Sequence, residues 1–194
     1  LPLMALFFLP LILWLPDLYE WARPEPEWSL PELMRHKRSY LNRGFFLWRA
    51  AIYFMAWSGL ALLMWRLSLD LDAGGKPVLL ARMRRWSGPG IILFAVTITF
   101  AAIDWMMSLD PYWFSTIYGV YYFAGSVIAI LAALILLALS LGAAGPLRGV
   151  VTIEHYHDLG KLLFGFVIFW AYIAFSQMML IWMANIPEET AWFF

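Results

Sequence analysis

Long apolar runs constrain this chain more than any other feature of its sequence. A transmembrane helix needs about 20 mainly apolar residues, and five such runs can be read here, the first shortened and interrupted by prolines. Charged residues make up 13% of the 194 residues, against about 25% in soluble domains. No segment alternates polar and apolar residues over about ten positions, which excludes transmembrane β-strands. The sequence predicts an all-α, polytopic transmembrane helical bundle with about five spans.

The runs also predict how the chain is organised. It starts and stops inside apolar sequence, which indicates a piece of a longer protein, here a single integral membrane domain over residues 1–194. The first run has no basic start and no cleavage site, so it does not read as a signal peptide. The predicted spans are a (3–15), b (44–69), c (89–109), d (115–141) and e (159–186). Between them lie a membrane-surface loop (16–43), a basic loop (70–88) and a third loop (142–157).

Charge and cysteine content exclude several functions. Thirteen basic and thirteen acidic residues balance, which removes the case for nucleic acid. Without cysteine the chain can hold no disulfide, thiolate metal site or iron–sulfur cluster. His36, His155 and His157 lie in predicted loops or at a helix end, so neither a metal site nor a haem clamp is predicted, and no motif marks a catalytic residue.

Basic residues predict an orientation. Five flank spans on the side of loop 16–43, and seven flank them on the side of loops 70–88 and 142–157, which the positive-inside rule places in the cytoplasm. The seven are Arg66, Lys76, Arg82, Arg84, Arg85, Arg148 and Lys161.

One basic and one acidic residue lie inside predicted spans near the surface on the side of loop 16–43. Arg49 is five residues into span b and Asp104 is five residues before the end of span c, so both lie about 7–8 Å below the same surface. Because intramembrane charges are costly unless paired, we predict an Arg49–Asp104 ion pair. In the alternative, Arg49 extends to lipid phosphate and Asp104 faces interfacial water.

Polar residues at helical spacing mark one face on each of two spans. Thr97, Ala101, Asp104 and Ser108 share a face of span c. On span d, Tyr118, Tyr122 and Gly125 begin a similar stripe, whose ordinary role is helix packing. A quinone-adjacent surface would combine an acid and aromatic side chains. Its candidates are Asp104, Trp105, Tyr118 and Tyr122.

A dense titratable cluster precedes span e, and we predict that protons enter there. Imidazole titrates near neutral pH, and carboxylates and amines can relay protons onward. Asp158 is predicted to be the N-terminal cap or a first-turn acid of span e. Tyr172, Ser176 and Gln177 lie further along, between this cluster and the opposite surface. The proton-path candidates are Arg49, Asp104, Glu154, His155, His157, Asp158, Lys161, Tyr172, Ser176 and Gln177. In the alternative, these polar residues only hold the bundle together.

Three strings carry a family resemblance: HKRSYLNRGFFLWRAAIYF from His36, TFAAIDWMMSLDPYWFSTIYG from Thr99 and HDLGKLLFGFVIFWAYIAFSQMMLIWMANIPEET from His157. They resemble the F subunit of bacterial alternative complex III, a quinol:electron-acceptor oxidoreductase, over about residues 36–190. That family is similar to NrfD-like and polysulfide-reductase membrane subunits, which have about ten helices.

The resemblance implies a cofactor-free, non-catalytic, multi-pass subunit of the bacterial inner membrane. Its implied partners are an NrfD-like C subunit, an iron–sulfur subunit and multihaem cytochromes c, which carry the clusters and haem c, with quinol as the substrate of the assembly. The implied role is scaffold, quinone-adjacent surface and proton translocation. Two other functions remain: a secondary transporter, or a purely structural membrane anchor.

Overall fold

The computed structural model describes residues 2–24, 31–74, 77–145, 147 and 149–185, and every regular element in these ranges is a helix. Within these ranges, four helices are long and apolar enough to span a membrane, as the all-α, multi-pass prediction requires. The chain divides into two compact units, Leu1–Phe114 and Ser115–Phe194. The predicted end of span e at 186, Lys76 and Arg148 lie outside the described residues.

The first unit opens with a broken apolar segment. It consists of α1 (Pro2–Phe7), α2 (Leu9–Leu13) and α3 (Leu15–Leu18), and then a 3₁₀ turn (Glu20–Ala22). A proline occupies the first turn of both α2 and α3, where its missing N–H costs nothing. The predicted span a is therefore a proline-interrupted run rather than a fifth full-length helix.

An antiparallel hairpin forms the rest of the first unit. After α4 (Glu32–Lys37), α5 (Arg43–Asp72) packs along α6 (Pro77–Trp105), and a short 3₁₀ turn (Met107–Leu109) follows α6. Leu15, Tyr19 and Ala22 pack on Phe46 of α5, so the opening segment lies against the end of the hairpin where α5 begins.

The predicted loop 70–88 is wrong for most of its length, because α5 continues to Asp72 and α6 already begins at Pro77. Arg82, Arg84 and Arg85 are therefore helical. The prediction treated Pro89 as a helix start, yet Pro89 lies inside α6. Membrane helices tolerate an internal proline because nearby groups satisfy the freed backbone atoms.

The second unit is a hairpin of α7 (Tyr118–Ala144) and α8 (Ile153–Ala184). The Tyr121 ring stacks on Trp170, with centroids 5.1 Å apart. Loop 142–157 is shorter than predicted, because α7 extends through Ala144 and α8 begins six residues before the predicted start of span e.

Candidate functional site

The candidate site is a buried charge cluster at the end of the first hairpin. Asn42 caps α5, since its Oδ1 accepts a hydrogen bond from the Phe45 amide at 2.9 Å. Arg49 lies two turns into α5, and Asp104 lies in the last turn of α6. Because the two helices run antiparallel, both residues lie at the same level, as their predicted depths required.

The Arg49–Asp104 ion pair is bidentate. Arg49 Nε donates to Asp104 Oδ2 at 2.7 Å, and Nη2 donates to Oδ1 at 2.9 Å. The Asp104 side chain is 0% exposed and that of Arg49 is 8% exposed. The predicted ion pair is confirmed, and the alternative in which the two charges face lipid phosphate and water is wrong.

Tyr53 adds a third donor to the carboxylate. Its Oη donates to Asp104 Oδ2 at 2.6 Å. A buried carboxylate is costly unless its oxygens accept hydrogen bonds, and here both oxygens do. The sequence analysis missed Tyr53, although its position four residues after Arg49 places it on the same face of α5.

The Arg49 guanidinium is held on its other sides as well. Nη1 donates to the Tyr40 carbonyl at 3.1 Å. The guanidinium carbon lies 3.9 Å from the Tyr40 ring centroid and 4.3 Å from that of Phe45, within the range of cation–π attraction. These contacts fix the cation within the protein.

The predicted polar face of span c is buried, although its last member, Ser108, lies in the 3₁₀ turn after α6. Thr97, Ala101, Asp104 and Ser108 are each less than 7% exposed. Thr97 accepts a hydrogen bond from Trp57 Nε1 at 2.8 Å, which adds a second polar link between α5 and α6. The face therefore packs against protein, as its helical spacing predicted.

Side-chain donors, two of them from distant parts of the chain, satisfy carbonyl groups at the end of α6 and in the 3₁₀ turn that follows. The last carbonyls of a helix have no intrahelical partner. Tyr19 Oη donates to the Trp105 carbonyl at 2.8 Å, Trp21 Nε1 donates to the Ser108 carbonyl at 3.1 Å, and the Ser108 hydroxyl donates to the Asp104 carbonyl. The opening segment thus holds the backbone that carries Asp104.

Two phenols outside the spans stay protonated near the cluster. Burial, aided by the charge of Asp104, raises the pKa of Tyr19 to about 12 and that of Tyr40 to about 12. At neutral pH both therefore act as hydrogen-bond donors. The Tyr40 hydroxyl is buried beside Asp104, whose charge and hydrogen bonding both help to raise the pKa of Tyr40.

A cavity of about 320 Å³ adjoins the cluster. Tyr40 and Ser108 belong to its lining, and His36, Lys37 and Asp110 add titratable groups. Its other walls are apolar. They are formed by Leu41, Ile103, Met107, Pro111, Trp113 and Phe114.

The four predicted quinone-adjacent residues fall into both units. Asp104 belongs to the charge cluster. The Trp105 ring packs among aromatic rings, with centroids 4.9 Å from Phe8 and 5.7 Å from Trp57. In the second unit, Tyr118 begins α7, and Tyr122 lines a groove beside Gly125.

The cluster that precedes span e in the prediction lies on the first turns of α8. Glu154, His155, His157, Asp158 and Lys161 are all exposed within the second unit. Asp158 Oδ1 and Lys161 Nζ form an ion pair at 2.8 Å.

Both predicted positions of Asp158 are wrong, because Thr152 is the N-terminal cap of α8 and Asp158 lies in the second turn of that helix. The Thr152 amide donates to His155 Nδ1 at 3.1 Å, and Thr152 Oγ1 lies 2.8 Å from the same nitrogen. His155 thus takes the place of the Glu or Gln usual in a capping box. The sequence signal that marks this cap, and that the prediction missed, is a threonine three residues before His155.

The predicted polar residues further along α8 are only partly covered. Tyr172 is 64% exposed, and Ser176 and Gln177 are half-buried. Within the described part of the second unit they form no enclosed path with Lys161. Nor do any three His, Asp or Glu residues in the described ranges form a group that could hold a metal ion.

Comparison with known proteins adds no family to this picture: no protein-family model and no curated protein matches the chain.

Proposed function

We propose that the chain is a cofactor-free integral subunit of a respiratory quinol:electron-acceptor oxidoreductase of the alternative complex III type in the bacterial inner membrane. It contributes scaffold, a quinone-adjacent surface and part of a proton path. Haem c and iron–sulfur clusters belong to its partner subunits, where quinol oxidation takes place. The support is the resemblance of the three sequence strings and one structural observation, the buried Arg49–Asp104–Tyr53 cluster within membrane-spanning helices.

In this proposal Asp104 is the proton-accepting group of the first unit. Both carboxylate oxygens accept hydrogen bonds from Arg49, so an incoming proton competes with the guanidinium. Uptake therefore requires Arg49 to withdraw from at least one oxygen, and release of the proton restores the pair. Tyr53, bonded to Oδ2, keeps the carboxylate in place during the exchange.

The test is Asp104→Asn in the full-length protein, purified with its partners and reconstituted into liposomes. Quinol oxidation and proton movement are recorded, and the haem c spectrum reports assembly. Loss of a proton-transfer group lowers rates by about a hundredfold or more. Asp70→Asn is the matched control, since Asp70 is an exposed acid at the other end of α5, and it should leave turnover unchanged.

Two further variants extend the test to a neighbour of Asp104 and to the predicted proton entrance. Tyr53→Phe keeps the carboxylate and should lower turnover far less than Asp104→Asn. Lys161→Met tests the predicted entrance on α8 and should also slow turnover. Full turnover of an intact Asp104→Asn complex contradicts the proton role.

The bidentate geometry favours a second function, that of a structural anchor. A pair that saturates both carboxylate oxygens is well suited to clamp α5 to α6. Under this function, Asp104→Asn lowers the yield of assembled complex while each assembled complex turns over at the normal rate. A colourless, intact preparation without quinol oxidation would instead favour a free-standing anchor or transporter over the respiratory assembly.

A further inference from the structure

The helix cap at the start of α8 depends on a titratable side chain. The Thr152 amide donates to His155 Nδ1 at 3.1 Å, and Thr152 Oγ1 lies 2.8 Å from the same nitrogen. In an ordinary capping box the acceptor is an oxygen of glutamate or glutamine, which can accept at neutral pH and below it. An imidazole nitrogen can accept only while it carries no proton. The cap of α8 therefore requires the neutral form of His155.

The backbone donor also fixes the tautomer of His155 in the capped helix. An amide N–H can only donate, so Nδ1 carries the lone pair and the ring proton is on Nε2. Nδ1 is thus occupied as an acceptor as long as the cap is formed. His155 therefore cannot pass a proton through both ring nitrogens in this state, which narrows its part in the predicted proton entrance.

Protonation of His155 removes one of the two contacts outright. A proton on Nδ1 points towards the hydrogen of the Thr152 amide, and the amide cannot reverse its role. The Thr152 hydroxyl can rotate and accept from the imidazolium, so that contact survives with its direction reversed. The positive charge of the imidazolium also opposes the positive end of the α8 dipole. Both effects favour the neutral ring in the capped helix.

The charged groups around His155 do not replace the lost contact. A carboxylate attracts the imidazolium but leaves the Thr152 amide without its acceptor. On α7 there is no charged residue, and its titratable side chains are three tyrosines at its other end. The remaining groups are Glu154, His157, Asp158 and Lys161 on α8, of which Asp158 and Lys161 are paired at 2.8 Å, and Arg148 in the connection, which lies outside the described residues.

The first turn of α8 is attached to α7 by a contact that does not involve the imidazole. Tyr156 Oη lies 3.7 Å from the position that a Cβ atom would take on Gly142, in the last turn of α7. This packing is the same for either form of His155. A proton on His155 therefore loosens the start of α8 without separating the hairpin.

We propose that His155 makes the N-terminal cap of α8 a pH-sensitive switch. The cap is formed while the imidazole is neutral, and the Thr152 amide turns to water when the imidazole is protonated. The turns next to the cap carry Glu154 and Asp158, so the switch adjusts the order of the predicted proton entrance to the local pH. The switch concerns the start of α8 alone and does not depend on the respiratory function proposed above.

The experiment is hydrogen–deuterium exchange of the full-length protein in detergent, read by mass spectrometry. Exchange is compared at about pH 7.5 and about pH 5.5, on either side of the range in which imidazole titrates, and is corrected for the intrinsic pH dependence of amide exchange. In the wild type, the protection of the peptide that contains Thr152 should fall by about fivefold at the lower pH, the usual effect of losing an N-terminal cap contact.

Two variants show whether His155 is responsible. His155→Gln keeps an acceptor at both pH values and should show equal protection at both. His157→Gln is the matched control, an exposed imidazole outside the cap, and should keep the wild-type pH dependence. Because both side chains are exposed, both variants should fold. Equal protection of the wild type at the two pH values overturns the proposal, as does a pH dependence that persists in His155→Gln.

Discussion

At the scale of single residues, Asp104 lies fully buried in a membrane-spanning segment, where both oxygens of its carboxylate accept hydrogen bonds. Arg49 supplies two hydrogen bonds and Tyr53 a third. Arg49 in turn lies against the rings of Tyr40 and Phe45. The two residues therefore satisfy each other's hydrogen bonds as well as each other's charge. Removal of either partner would leave the other buried with unsatisfied donors or acceptors.

The pair should show strong energetic coupling. Arg49→Gln leaves Asp104 buried without its counter-charge, which typically costs about 3–5 kcal/mol. Arg49→Gln combined with Asp104→Asn should destabilise the protein less than the sum of the single changes, because no uncompensated charge remains. Thermal unfolding of the full-length protein in detergent measures all three. Arg66→Gln, an exposed position on the same helix, is the control, and strictly additive effects would contradict the coupling.

Tyr40 should affect stability only at alkaline pH. Its pKa is about 12 in the fold and 10.0 at its ordinary value. Between these values the unfolded chain holds fewer protons than the fold, so the free energy of unfolding falls as pH rises from 10 to 12. Tyr40→Phe should make this decline less steep.

At neutral pH Tyr40→Phe should change stability little, because the ring that packs on Arg49 is kept and Asp104 still accepts hydrogen bonds from Arg49 and Tyr53. Unfolding midpoints across the pH range test both expectations. The matched control is Tyr172→Phe, at a position that is 64% exposed, and the prediction fails if both variants change the slope equally.

At the scale of elements, helix ends depend on a few backbone positions. Gly145 is the C-terminal cap of α7, and its φ is +106° while its amide donates to the Leu141 carbonyl at 3.1 Å. A side chain in this left-handed conformation costs about 1–2 kcal/mol. Glycine at this position therefore stops α7 and starts the connection to α8.

Two glycine substitutions should have opposite signs. Gly145→Ala should destabilise the protein by about 1 kcal/mol because of the positive φ. Gly160→Ala should stabilise it by about 0.5–1 kcal/mol, since Gly160 lies inside α8 and an added methyl group meets nothing within 4 Å. Unfolding of the two variants side by side measures the difference, and a shift of equal sign in both would contradict this reading of the helix end.

At the scale of the whole molecule, the absence of cysteine permits a direct test of topology. The α5–α6 hairpin requires Ser39 and Tyr112 to lie on one side of the membrane and Ala73 on the other. Single cysteines at these positions should therefore fall into two groups, one accessible to a membrane-impermeant maleimide from outside the cell and one accessible only from inside. In intact spheroplasts Ser39→Cys and Tyr112→Cys should be labelled, and Ala73→Cys only after lysis, as the distribution of basic residues predicts.

Labelling of Ser39→Cys and Ala73→Cys from the same side would show that α5 does not cross the membrane. Labelling of Ala73→Cys alone in intact cells would keep the hairpin and reverse the predicted orientation. A second pair of single cysteines tests the second unit in the same way. Val150→Cys lies in the connection before α8 and Asn185→Cys directly after α8, so the two should be labelled from opposite sides of the membrane.

The sequence alone determined the helical membrane-spanning class, the buried face of α6 and the Arg49–Asp104 pair. Apolar run length fixes the first, because lipid offers no partners to an irregular backbone. Helical spacing and equal depth fix the other two, because a charge inside a span must find a partner. The same helical spacing from Arg49 could have predicted that Tyr53 faces Asp104, and the spacing of Thr152 from His155 could have predicted the cap of α8.

Only the tertiary structure decided what surrounds the pair. Tyr19 and Trp21 reach the end of α6 from more than 80 residues away, and no local pattern encodes such a contact. The cavity likewise forms because Lys37 and Tyr40, before α5, meet Asp110 and Pro111, after α6. Sequence spacing determines which residues share a helix face. The partners of that face depend on how separate segments of the chain pack together. That packing results from the sum of many weak contacts across the unit.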